Sequence, residues 1–128
     1  MGYDCSASLE MEGALRALRQ ARGQLPASHR AMHHSDRGCQ YCCGAYIEAL
    51  EQAGLSISMT QENHCYENAQ AERLNGILKQ EYGLGRRFES LAAAQAGVRE
   101  AVTLYNHFRP HVSLGYRIPR EVHGARAA

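Results

Sequence analysis

The chain has 128 residues, a formal net charge of +1, 45% hydrophobic and 21% charged residues, which is ordinary for one globular domain with a single core. Five cysteines without a regular spread exclude a secreted disulfide framework, and the lack of an 18-residue apolar run predicts no membrane span. We therefore expect a cytoplasmic protein with reduced thiols.

The first predicted element is an amphipathic helix over residues 8–22. Ser8 is placed to cap its N-terminus, and Leu15 and Leu18 lie on an apolar stripe at helical spacing. Gly23 follows the last periodic residue, which is typical of a helix end.

Two short strands flank the second predicted helix. A buried strand is expected over about 30–34, and a helix over 42–53 with Tyr46 and Leu50 facing inward. Residues 55–59 alternate apolar and polar side chains, which predicts a half-buried strand.

The second half of the chain predicts two more helices and an irregular end. One helix runs from about residue 66 or 67 to 82, and another runs over 90–108 with Leu91 on its apolar stripe. The tail is expected to be irregular, with Tyr116 and Pro119 anchoring it against the body. The element order indicates an α/β class, although two strands make a poor sheet, so we expect sheet partners upstream to be missing.

Two acids stand at positions where the predicted fold could use them. Asp36 follows the first strand, and strand ends in open α/β sheets face the ligand crevice. Glu72 lies on the third helix, with 35 residues between it and Asp36, and shares a polar face with Asn68 and Lys79.

A pair of carboxylates in a crevice suits metal-assisted phosphoryl transfer. Two divalent ions activate the attacking oxygen and stabilise the leaving one, and Mg²⁺ prefers oxygen ligands. The plainer alternative is that Asp36 is a turn residue and Glu72 a solvated helix acid. Spacing alone does not separate these two interpretations.

Several segments of the sequence form recognisable blocks: HHSDRGCQY at 33–41, SMT at 58–60 with NHCYENAQAE at 63–72, LKQE at 78–81, and YNHFRPH at 105–111 with LGYRIP at 114–119. In the same order, they resemble the blocks of insertion-sequence transposases, which read HSDRGSQY, SMS followed by GNCYDNAxxE, LKxE, and YNxxRPHxxLGYxxP.

This resemblance implies an RNase H-like fold, the catalytic core of the retroviral-integrase superfamily. It implies a DDE polynucleotidyl transferase that uses Mg²⁺ or Mn²⁺ in a two-metal site and acts on DNA, both element ends and target. The family's second catalytic acid corresponds to Asp36 and its third to Glu72, and both would be metal ligands. Lys79 fills the family's basic position seven residues after the glutamate.

One departure from the family pattern concerns the first catalytic acid, which lies on the first strand of the family's sheet. Asp4 is the only acid before the first helix, and it resembles a region that follows the third strand. We therefore expect residues 1–108 to be a partial catalytic core, truncated at its N-terminus and inactive alone. Residues 109–128 would be a basic C-terminal tail.

Four residues are predicted to contact DNA: Arg37, Asn68, Lys79 and Arg109. Arg37 could equally cap its turn, and Arg109 could stabilise a helix end. The stretch 105–128 has four arginines and one acid, which suits phosphate contacts or a solvated tail. The alternative function is therefore a non-catalytic DNA-binding or oligomerisation module, with a second copy or a full-length transposase as partner. A nucleoid-associated location would follow from DNA binding.

The cysteines allow one further hypothesis, a zinc site. Cys39 and Cys42 have zinc-ligand spacing, with Cys43 beside them, but the second pair, His64 and Cys65, is adjacent and irregular. Small buried or half-exposed thiols are the plainer interpretation. His33 and His34 would face opposite sides of their strand.

Overall fold

The computed structural model describes residues 2–26, 28–59 and 69–127. The chain divides into two compact units, Met1–Asn75 and Gly76–Ala128. The first unit has the predicted α/β composition, and the second is helical. None of the helices in the described ranges is long and apolar enough to cross a bilayer.

The first helix, α1, spans Met11–Arg22 and so starts three residues later than predicted. Its N-cap is Glu10, without a side-chain cap, so the prediction of Ser8 as N-cap is wrong. The Ser8 hydroxyl instead accepts a bond from the Glu10 amide at 3.5 Å, a local turn that holds the chain out of the helix.

The two predicted strands form a parallel pair. β1 spans Met32–Ser35 and β2 spans Ser56–Met59, with Met32 opposite Ser56 and Ser35 opposite Met59. Parallel strands need a crossover connection, which the intervening helical segment supplies. Gly54, at φ 69°, makes the tight turn from that segment into β2.

The predicted helix over 42–53 corresponds to α3, which spans Gly44–Gln52, and a short helix that was not predicted, α2 at Cys39–Cys42, precedes it. Cys43, whose backbone is extended at φ −76° and ψ 145°, separates the two helices. The core of this unit lies between α1 and these helices and contains Leu15, Leu18, Tyr46 and Leu50, as the apolar stripes predicted.

Three further helices and one 3₁₀ turn follow in the rest of the described chain. α4 spans Ala69–Gln80 and crosses the division between the units, and α5 spans Leu91–His107. A 3₁₀ turn at Val112–Leu114 precedes α6 at Pro119–Ala127. The expectation of an irregular tail is therefore wrong, because Pro119 fits the first helical position, where its missing N–H costs nothing.

Two further predictions concern the starts of α4 and α5, and the structure tests the one for α5. The predicted start of α4 at residue 66 or 67 lies outside the described residues. Ser90 caps α5 by accepting a bond from the Ala93 amide at 3.1 Å, which puts Leu91 in the first turn, 43% exposed. Leu91 was predicted to face inward, and that prediction is wrong; Ala101 is the buried residue of α5.

Candidate functional site

Asp36 follows the last residue of β1 directly and is exposed. Its Oδ1 atom accepts a bond from the Gly38 amide at 3.0 Å, so the carboxylate shapes the turn that leads into α2. A Cβ atom added at Gly38 would lie 3.0 Å from the same oxygen. The turn role, one of the two alternatives, is thus present, and it fixes the direction of an exposed carboxylate.

A packed aromatic cluster supports the strand that leads to Asp36. The ring of His33 lies 5.9 Å from that of Tyr41 and 5.5 Å from that of Tyr46, and its Nε2 atom is 3.1 Å from the Tyr46 hydroxyl. Burial lowers the pKa of His33 and raises the pKa of Tyr46 to about 12. Both groups are therefore held neutral, as befits a structural support.

His34 faces the other side of the strand, as predicted. It is exposed, and its Nδ1 atom lies 2.9 Å from the Ser58 hydroxyl on β2, so it links the two strands. His33 is half-buried, which confirms the expectation of one packed and one exposed histidine.

Glu72 lies in the first turn of α4 and Lys79 in its last turn, and both are exposed. Ile77 is the buried residue of this helix, so the polar face carries the acid and the lysine as predicted. Asn68, the third member of that face, lies outside the described residues. That Asp36 and Glu72 converge on shared cations stays a prediction.

Asp4, which the sequence comparison did not identify as the first catalytic acid, forms an ion pair with Arg16. Arg16 donates to Oδ1 from Nε at 2.9 Å and to Oδ2 from Nη2 at 3.0 Å, and the Ser6 hydroxyl also donates to Oδ2. These bonds, that from Arg16 first, lower the pKa of Asp4. Asp4 therefore ties the N-terminal segment to α1.

The cysteines make no metal cluster in the described ranges. Cys39 and Cys42 are exposed, whereas the Cys43 thiol is half-buried against the Met11 sulfur at 2.7 Å. No group of three or more His, Cys, Asp or Glu side chains among residues 2–26, 28–59 and 69–127 is placed to hold a metal ion. The zinc hypothesis therefore has no ligand set there; His64 and Cys65, its other members, lie outside those ranges.

Arg109 lies in the second unit and has a partner within it. Its Nε and Nη2 atoms each donate to a different carboxylate oxygen of Glu81 at 2.8 Å, and the bond to Glu81 raises the pKa of Arg109. His111 lies beside it, with Nδ1 3.3 Å from Arg109 Nη1. This geometry favours a structural role for Arg109 over a DNA contact. Arg37, the residue after Asp36, is exposed.

Sequence reasoning missed Glu81 as the partner of Arg109. The two residues are 28 positions apart, which corresponds to no helical or strand period. The available signal was that both stand inside recognisable blocks, LKQE and YNHFRPH.

The chain is similar over most of its length to proteins of bacterial insertion sequences. It is 39% identical over 116 residues to "Insertion element IS600 uncharacterized 31 kDa protein" of Shigella sonnei, covering 90% of this chain and 41% of that protein. It is 34% identical over 125 residues to "Transposase for insertion sequence element IS629" of Shigella sonnei, covering 98% and 42%. "Transposase InsF for insertion sequence IS3A" of Escherichia coli (strain K12) is 30% identical over 122 residues, covering 94% and 42%. The chain thus spans about two fifths of the length of these relatives.

The fold is that of an integrase catalytic core. The crystal structure of the catalytic core domain of BIV integrase superposes with a TM-score of 0.67 at 15% identity, covering 94% of this chain and 75% of that one. The α/β, RNase H-like prediction is therefore confirmed. Residues 53–119 match the family described as "Integrase core domain". The chain belongs to the integrase core domain family, as a region of a DDE-type transposase catalytic core.

Proposed function

We propose that this chain supplies two metal-binding carboxylates, Asp36 and Glu72, to a transposase site that cuts DNA at element ends and joins it to target DNA. The observation that carries this proposal is the exposure of both acids, one at the end of β1 and one on the polar face of α4. Neither acid serves the apolar core. The cations would be Mg²⁺ or Mn²⁺, which take oxygen ligands.

The proposed reaction is a displacement at a negatively charged phosphate, which divalent cations assist. When bound, a pair of divalent ions lowers the pKa of the attacking water or hydroxyl and stabilises the leaving oxygen. Asp36 and Glu72 would hold the ions, and Lys79 would contact a phosphate oxygen from the same face of α4 as Glu72. Arg37 and Asn68 are proposed as further DNA contacts. Arg109 is the weakest candidate, because Glu81 already accepts two of its bonds.

We propose further that the 128-residue chain joins DNA poorly alone. A site of this class needs a third acid, and Asp4 is committed to Arg16. The complete activity would belong to proteins of the length of its relatives, of which this chain spans about two fifths. The proposed functional division is a partial core over 1–108 and a basic tail over 109–128. Its bacterial relatives favour a cytoplasmic, nucleoid-associated location.

Manganese binding tests the proposed site without requiring turnover. We expect the free Mn²⁺ signal in electron paramagnetic resonance to fall when the chain is added, and Asp36→Asn or Glu72→Gln to restore most of it. Glu48→Gln, which changes an exposed glutamate on α3, is the matched control and should leave binding unchanged. Equal binding by the wild-type chain and both variants would overturn the proposal. Robust joining of labelled element-end DNA with Mn²⁺ would overturn the claim of low activity alone.

A second candidate function is a non-catalytic DNA-binding or oligomerisation module that regulates a full-length transposase. The observation that favours it is that residues 101–120 contain no acid, while Arg117 and Arg120 are exposed. Salt-dependent duplex binding that survives Asp36→Ala with Glu72→Ala would support it. A lack of binding at about 50 mM salt, where phosphate contacts are strong, would count against it.

A further inference from the structure

A small closed loop follows α5 in the second unit. His111 and Arg117 form a bridge in which the His111 amide donates to the Arg117 carbonyl at 3.2 Å, and the Tyr116 amide donates to the His111 carbonyl at 2.8 Å. Between them the chain makes the 3₁₀ turn and then two left-handed residues, Gly115 at φ 63° and Tyr116 at φ 62°. These bonds define the backbone of the loop at both ends.

Tyr116 combines a left-handed backbone conformation with an exposed side chain. It is the one non-glycine residue with positive φ among those described, a conformation that costs free energy for an aromatic residue. Its side chain is 73% exposed, so it does not anchor the tail as the sequence predicted. Neighbouring Val112 is 75% exposed. Strain held at an exposed aromatic ring points to a ligand contact.

Basic residues dominate the sequence around this ring, and the Glu121 carboxylate accepts a bond from the Ile118 amide at 3.4 Å. No acid occurs from residue 101 to 120, and Arg117 follows Tyr116 directly, with its Nε donating to the Leu114 carbonyl at 3.1 Å. That bond holds the guanidinium of an exposed arginine against the same loop. An aromatic ring beside an oriented cation is the combination that binds single-stranded nucleic acid, the ring by stacking on a base and the cation by contacting the backbone.

The loop is also braced against the helix that precedes it. The ring of His111 packs edge-on against Tyr105 of α5 at 4.9 Å, and the Arg109–Glu81 ion pair lies beside His111. A rigid platform loses little entropy when it binds, which favours a specific contact over a mobile tail.

We propose that Tyr116 is a stacking platform for an unpaired DNA base, with Arg117 contacting the adjacent phosphate. This proposal rests on the proposed function only in that the ligand is DNA. It needs neither Asp36, Glu72 nor a metal. Bases present an open face only where strands are separated, so the loop should prefer single-stranded DNA or frayed ends to closed duplex.

The absence of tryptophan from the chain allows a direct optical test. Tyr116→Trp introduces a single indole at the proposed platform, and Leu9→Trp places one at a 99% exposed position in the other unit. With a twelve-nucleotide oligothymidine in EDTA, we expect quenching of the Tyr116→Trp emission and none for Leu9→Trp. Absence of quenching at Tyr116→Trp, or equal quenching at both, would overturn the proposal.

Binding by a ring-deleted variant gives the second measurement. Tyr116→Asn tolerates the left-handed backbone, so the loop should fold, and affinity for the oligonucleotide should fall at least about fivefold, the low end for loss of one stacked base. Unchanged affinity would overturn the proposal. So would tighter binding to closed duplex than to single strand, or a change of oligomeric state with unchanged DNA binding, which would indicate a protein contact. Because EDTA removes metals, failure here leaves the metal-site proposal standing, and the reverse also holds.

Discussion

The described contacts inside the first unit differ from those inside the second. The first has an apolar core in which Leu50 is fully buried and Leu15, Leu18 and Tyr46 are each at most 7% exposed. In the second, the buried hydrophobic residues are Ile77 and Ala101. Other contacts among its described residues include the Arg109–Glu81 pair, the Tyr105–His111 contact and Arg86 over the Phe88 ring at 5.1 Å.

This difference teaches what each unit can present to solvent. In the first unit Asp36 and Glu72 lie outside the apolar core and are exposed. The second unit uses charged and aromatic groups for its own packing, so the ones left exposed, such as Tyr116 and Arg117, stand out. Stability of the first should respond to cavities, and that of the second to polar contacts and salt.

The largest expected effect is a cavity in the first unit. Leu50→Ala removes a fully buried side chain and should lower the free energy of unfolding by about 2–5 kcal/mol. Leu9→Ala, at a 99% exposed position, should change it by less than about 0.5 kcal/mol. Urea denaturation measures both. Similar small losses for the two variants would show that the apolar core does not stabilise this unit.

The aromatic cluster of His33, Tyr41 and Tyr46 should make the free energy of unfolding fall at both low and high pH. Burial lowers the pKa of His33 from 6.5, so its contribution is complete above pH 6.5 and is lost as the pH falls below it. Burial raises the pKa of Tyr46 from 10.0 to about 12, so that contribution is complete below pH 10 and is lost as the pH rises towards 12.

Tyr46→Phe separates these two effects. It should cost about 0.5–1.5 kcal/mol at neutral pH, because it removes the hydrogen bond to the half-buried His33 ring. It should also remove the loss above pH 10 while keeping the acid-side loss. Urea midpoints from pH 5 to 11 measure both. A wild-type alkaline loss that Tyr46→Phe retains would refute the assignment.

Two helical glycines of the second unit form a matched pair. A Cβ atom at Gly97 would lie 2.9 Å from Phe88 Cε1, whereas one at Gly76 meets nothing within 4 Å. Gly97→Ala should therefore destabilise by about 1 kcal/mol, since overpacking exceeds the gain in helix propensity. Gly76→Ala should stabilise by about 0.5–1 kcal/mol. Thermal melts that rank the two the other way would contradict the packing of Phe88 on α5.

The smallest effect concerns the ion pair of the second unit. Arg109→Met should cost about 1 kcal/mol or less, because Glu81 is half-exposed and water screens the pair. Its cost should shrink in molar salt, and Arg109→Glu combined with Glu81→Arg should recover part of it. A cost that is independent of salt would show that packing of the arginine stem, and not charge, is what Arg109 contributes.

Sequence periodicity predicted the elements that bury apolar stripes, and it failed where local backbone chemistry decides. Leu15, Leu18 and Leu50 were identified because a buried face repeats at helical spacing. α2 was missed because four residues are too few to show an apolar period, and Cys43, predicted to be helical, is an extended residue before α3. α6 was missed because Gly124 and Pro119 resemble breakers, although proline at a first helical position is favourable.

Of the candidate site too, some features were predicted from the sequence and others were not. Asp36, Glu72 and Lys79 were located by a family resemblance, and the exposure of Glu72 and Lys79 fits the predicted polar face of α4. The partner of Arg109 and the exposure of Tyr116 depend on contacts between distant residues and on backbone angles, neither of which has a sequence period.

The central claim is that Asp36 and Glu72 share a divalent cation, and iron-directed cleavage tests it most directly. Fe²⁺ bound in place of Mg²⁺, with ascorbate and peroxide, cuts the backbone near the ion. We expect cuts close to both residue 36 and residue 72. Either Asp36→Asn or Glu72→Gln should weaken both cuts, whereas the control Cys39→Ser should weaken neither. Cuts near only one of the two acids, or cuts that neither acid variant changes, would contradict it.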